Sequence, residues 1–168
     1  MTGTMKMLAD YATLVTAVAA AWAAYESRRS ANASRAAAES QVVYQSMIDY
    51  FKPEMTDALR TLVKWREGHG DQYPALWLAA FRRGEQEAAV VDRARRHVKG
   101  FFDRAVRLRE AKFVSEPAFR EMAYTGGLNL YFDIVVPLEN ELNPSRRTRT
   151  EDVLWRDIGR YDADAPRA

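Results

Sequence analysis

Cysteine is absent from this 168-residue chain, and histidine occurs only as His69 and His97. Without a thiol the sequence offers no disulfide, no cysteine nucleophile and no thiolate ligand for a metal. The histidines add little. A metal site in a helical bundle needs Glu-x-x-His pairs on facing helices, and neither histidine has a glutamate three residues before it. His69 lies in the Gly68-His69-Gly70-Asp71 stretch, which reads as a loop, and His97 borders a helix face as an ordinary polar residue. Glu85/Glu87 and Glu139/Glu141 are spaced by two, so each pair points to different sides of a helix. Glycine-rich phosphate loops, Gly-x-Ser-x-Gly and Ser-x-x-Lys are also missing, and Gly126-Gly127 follows no strand. These absences set the first expectation: no catalytic residue, no cofactor and no metal.

Net charge is scarce too. The formal value is +2, too small by itself to imply a polyanion partner. A local excess does exist, with ten Lys/Arg against five Asp/Glu between Arg82 and Lys112. Its ordinary reading is a solvated helix face with internal ion pairs. Contact with anionic lipid headgroups ranks second, and nucleic acid third, because no recognised module or regular basic–aromatic pattern accompanies the charge. The candidate interaction surface is Arg93, Arg96, Lys99, Arg104 and Arg107, joined by Trp155 in the tail.

Glycine and proline are missing from Asp10 to Lys52, so one long helix is expected there. From Tyr11 to Tyr25 only Thr13 and Thr16 interrupt an apolar run, and extension back to Met7 admits Asp10 and gives 19 residues. A spanning helix takes about 20 predominantly apolar residues, so this run reads as a membrane anchor, weakened by its alanine content. Lys6 precedes it, while Arg28, Arg29 and Arg35 follow, which places the remainder of the chain on the cytoplasmic side of the membrane. Three other readings stand beside the anchor. One is a signal peptide cleaved near Ala21-Trp22-Ala23, another a helix packed in a soluble bundle, and the last a helix that pairs with copies of itself. Residues 26–40 are mostly Ala, Ser, Arg and Glu, and read as a polar stalk containing a flexible joint.

The remainder reads as all-α. Pro53 ends the long helix and starts another carrying Met55, Leu59, Leu62 and Val63, and Pro74 opens a short apolar one closed at Gly84. Over 85–112, Val90, Val91, Ala94, Val98, Phe101, Phe102, Ala105 and Leu108 recur at helical spacing, with Asp92, Arg93, Arg96, Lys99, Asp103, Arg104, Arg107 and Glu110 on the remaining face. Ser115 is placed to cap the next helix, and 128–142 reads as helix interrupted by Pro137. In the tail, Leu154, Ile158 and Tyr161 form one stripe, with Val153 and Trp155 beside it, for docking on the domain or on a partner. The expected organisation is therefore an anchor and stalk over 1–40, a helical bundle over 41–142, and a polar tail with an amphipathic helix over 143–168.

The order of these features resembles a family of uncharacterised bacterial proteins with one N-terminal membrane helix and a small cytosolic helical domain. The resemblance lies in the apolar run followed by Arg28-Arg29, in Tyr44–Glu54 with Phe51-Lys52-Pro53-Glu54, and in Arg95-Arg96-His97-Val98 leading to Phe101-Phe102-Asp103-Arg104. Val135-Val136-Pro137-Leu138-Glu139 completes it. It implies the anchor and the fold and brings no activity. The functional expectation is a membrane-tethered interaction module or accessory subunit, with lipid and a protein partner or second copy as contacts. The alternative is a soluble oligomer that binds nucleic acid or another polyanion through the Arg-rich face.

Overall fold

The computed structural model describes residues 2–123, 127–144 and 148–159, with the backbone alone for 2–13. Among these residues every regular element is helical and no strand occurs. The chain forms two compact units, Met1–Ser40 and Gln41–Ala168.

Helix α1 (Thr2–Tyr50) has no proline or glycine after Gly3 to interrupt it, so the expected joint at 26–40 is regular helix. Within the first unit Leu14, Val15, Val18, Trp22 and Tyr25 are each 50–65% exposed. Among the described residues no helix is long and apolar enough to cross a membrane, which corrects the transmembrane expectation. The reason is composition and length. The uncharged run from Tyr11 to Tyr25 is 15 residues, seven of them alanine and two threonine. At ~1.5 Å per residue it covers about 22 Å of a ~30 Å hydrocarbon layer between Asp10 and Glu26. The side chains of Met7–Thr13, which the expectation also used, lie outside the described residues.

The second unit holds the core. Helices α2 (Pro53–His69), α3 (Tyr73–Arg82), α4 (Gln86–Glu110) and α5 (Glu116–Ala123) follow, the second joined to the third by a 3-10 turn at Gly70–Gln72. After these come α6 (Gly127–Leu130), a π turn (Tyr131–Val135), α7 (Val136–Leu142) and α8 (Arg149–Asp157). Helix α2 therefore runs through Gly68 and His69, where a loop was expected. The His69 ring stacks on Trp65 at 3.9 Å, and its Nδ1 lies 2.8 Å from the Trp65 carbonyl.

Helix α4 packs along α2, α3, α5, α8 and the π turn, which explains the strength of its apolar period. Val91, Val98, Phe101, Phe102 and Ala105 are buried as that period requires. Two positions depart from it. Val90 is 46% exposed, and Asp92, assigned by spacing to the solvated side, is 3% exposed. At the opposite end of the core, Tyr50 sits on Gly127 so closely that an added Cβ would meet its hydroxyl and come within 2.9 Å of Cε2. Gly127 is therefore set by packing.

Pro137 interrupts the helix in a way that spacing alone does not reveal. Lacking an N–H, it leaves the Asp133 carbonyl without its intrahelical donor, and the chain widens into the π turn just before it. The Tyr73 hydroxyl fills the gap, donating to the Asp133 carbonyl at 2.8 Å, with the Ile134 carbonyl at 3.4 Å. Burial pushes this hydroxyl up to about 12, so it remains a donor throughout the neutral range. Tyr73→Phe should cost about 0.5–1.5 kcal/mol by removing this hydrogen bond. Because the folded value lies above the unfolded one, the hydroxyl's contribution is complete below about 10 and declines as pH rises toward 12. Urea titrations of both proteins at neutral and alkaline pH should therefore converge as the pH rises; an unchanged gap would count against this role.

The described tail docks on its own domain. Thr148 caps α8 by accepting from the Glu151 N–H at 3.3 Å, and Val153 and Leu154 are buried. Trp155 is 50% exposed and meets Phe132 edge-on at 5.5 Å. Tyr161, the third residue of the expected stripe, lies outside the described residues, as do Gly126 and the arginines at 146 and 147.

Candidate functional site

The charged flank of α4 turns inward at one point. Arg95 is 7% exposed and lies over the Trp77 ring, 5.3 Å from its centroid. Trp77 is itself fully buried and donates through Nε1 to the Ala88 carbonyl at 3.2 Å. The guanidinium reaches Asp92 Oδ1 with Nη2 at 2.7 Å and Nε at 3.2 Å, and its Nη1 contacts Glu139 of α7. Asp92 Oδ2 is held by Arg96 at 2.6 Å, and Glu139 Oε2 by Lys99 at 3.4 Å. Every oxygen of the two carboxylates thus faces a cation. Such an arrangement fixes α7 against α4.

Farther along α4 the pairing continues. Lys99 also lies 3.8 Å from Asp103, whose other oxygen accepts from the Thr150 hydroxyl of α8. Arg149 holds Glu110 at 2.7 Å, and Arg109 reaches Asp157 at 3.5 Å. The Asp157 carboxyl is held below its usual range, chiefly by its hydrogen bond from Arg156. Between α4, α7 and α8 lies a cavity of about 410 Å³ lined by Lys99, Asp103, Arg107, Glu110, Glu139 and Arg149, among others. Its cations and acids balance, three against three, so it presents no field of one sign.

A second cavity of about 530 Å³ on the neighbouring flank includes Arg96, His97, Arg104, Asp49 and Lys52. Arg104 pairs with Asp49 at 3.0 Å, and Asp49 is held low mainly by its hydrogen bond from Lys52. His97 is exposed at its rim. Among the described residues no group of three or more His, Asp or Glu is placed to hold a metal ion.

The candidate surface read from the sequence is therefore divided. Lys99 and Arg107 line one cavity, Arg96 and Arg104 the other, while Arg93 and Trp155 line neither. Arg96, Lys99 and Arg104 are engaged by acids. The residues that organise the flank, Asp92, Arg95 and Glu139, were not on that surface. Asp92-x-x-Arg95 and Asp92-x-x-x-Arg96 are the i,i+3 and i,i+4 spacings of helical ion pairs, a signal available in the sequence. The contact with Glu139 has no such local signal.

Compared with family models, curated proteins and solved structures, the chain matches none. The resemblance in feature order stands without a matching family model behind it.

Proposed function

We propose that this chain is a non-catalytic helical interaction module whose contact element is the uncharged part of α1. The observation that carries this reading is the exposure of Leu14, Val15, Val18, Trp22 and Tyr25, each half or more open to solvent on a single helix. Five large apolar side chains gathered this way are a contact surface in search of cover. The bundle supports the reading from the other side, because its Arg-rich flank is largely neutralised by its own acids. That pairing also argues against polyanion binding as the main role.

A second reading places the same run in or against a membrane, with the bundle cytoplasmic. It is favoured by the lack of charge between Asp10 and Glu26 and by Arg28, Arg29 and Arg35 beyond. Native sizing of cell extracts, with an alkaline carbonate wash of the membrane fraction, tests both. The interaction reading expects a washed, soluble chain in an assembly larger than its own 19.2 kDa, released to monomer by Val18→Glu. Carbonate-resistant sedimentation would transfer support to the membrane reading. A 19.2 kDa monomer indifferent to Val18→Glu would sink both.

A further inference from the structure

The exposed side chains of α1 follow a stricter spacing than exposure alone requires. Val15, Val18, Trp22 and Tyr25 are separated by three, four and three residues, and the sequence carries the same alternation back through Tyr11 and Leu8. This is the 3.5-residue seam of paired helices. Leu14 borders it, and every other residue from Thr16 to Ala24 is alanine or threonine. Bulk is thus confined to an arc of about 100°. A helix lying on a membrane would need a charged opposite face, and this one has none. Small residues beside the seam instead let a second backbone approach closely.

We infer that the seam is covered by a second copy of this chain, paired antiparallel; the inference rests on the interaction reading above and names its partner. The orientation follows from Arg29, which occupies the next seam position after Tyr25 and whose side chain is 71% exposed. Parallel pairing would set Arg29 against its own copy, whereas antiparallel pairing separates the two. It also aligns the seam with itself, the Val15 position opposite Val18 at the centre and the bulkier positions outside. The exposed parts of Trp22 and Tyr25 in two copies amount to roughly 400–600 Å² of aromatic surface. With the valines and Leu14 this approaches the lower end of specific interfaces, about 1,200 Å². The dimer is accordingly concentration-dependent.

Sedimentation equilibrium of the purified full-length protein, in buffer without detergent, reads this directly. The average mass should rise from 19.2 kDa toward twice that value with concentration, and Val18→Glu should hold it at 19.2 kDa while leaving the bundle's thermal transition in place. Because the natural chain has no cysteine, engineered ones report orientation without ambiguity. A mixture of Val15→Cys and Val18→Cys proteins should form a mixed disulfide dimer on mild oxidation, and neither alone should cross-link efficiently. Efficient cross-linking of Val18→Cys alone would overturn the antiparallel pair. A wild-type monomer that floats with anionic vesicles through Trp22 would overturn self-pairing and leave the stripe as a contact element. A monomer that binds no vesicle would overturn the pairing, and the interaction reading would then fail only if the chain also ran as a 19.2 kDa monomer in cell extracts.

Discussion

Arg95→Ala should destabilise the helical bundle by about 3–5 kcal/mol, a large fraction of the ~5–15 kcal/mol that holds a typical domain together. The size follows from burial. Removing the guanidinium leaves Asp92 and Glu139 facing each other's field at 3% and 8% exposure, with only Arg96 and Lys99 to hold them. It also removes the cation over Trp77. Arg95→Lys should recover only part of the loss, because one ammonium cannot reproduce the fork that joins acids on two helices. Replacing the pair together, with Arg95→Met and Glu139→Leu, should cost less than Arg95→Ala alone, since no uncompensated Glu139 charge then remains. Urea denaturation of the four proteins checks the ordering. A loss under about 1 kcal/mol for Arg95→Ala would mean that the network is solvated in solution.

Phe102→Ala should cost a similar ~3–5 kcal/mol. The ring is fully buried, packed at 4.8 Å from Tyr131 and at 5.3 Å from Phe101. Its removal opens a void where α4 meets the π turn. Arg93→Ala, on the exposed side of the same helix, should shift stability by less than ~1 kcal/mol. Thermal unfolding of the two variants side by side is the check, and equal shifts would show that the faces of α4 have been assigned wrongly.

Much of the bundle is legible in the sequence because its signals are local. Pro53 and Pro74 open helices, Gly84 takes a positive φ of 77° where α3 ends, and the apolar period of α4 locates Val98, Phe101 and Phe102 in the core. What the sequence hides depends on contacts far along the chain. Arg95 is assigned by spacing to neither face of α4, and its contact with Glu139 depends on α7, more than forty residues further along the chain. Pro137 announces a disturbance, but the Tyr73 hydroxyl that supports the π turn comes from sixty residues earlier in the chain. Val90 sits at the margin of that period, 46% exposed while Ala88 and Val91 on either side of it are buried.

The N-terminal run shows the opposite failure. Its length matched a membrane span, and length outweighed composition in that expectation. Alanine fills a helix while burying little, so the count of uncharged residues overstated the apolar content.

The proposal that α1 carries a contact stripe is tested most directly by amide hydrogen exchange on the full-length protein. At high concentration Leu14–Tyr25 should be protected. Dilution or Val18→Glu should remove that protection while Val98–Val106 of α4 stays protected as before. Protection of Leu14–Tyr25 that ignores both concentration and Val18→Glu, or a loss that spreads into α4, would contradict the account.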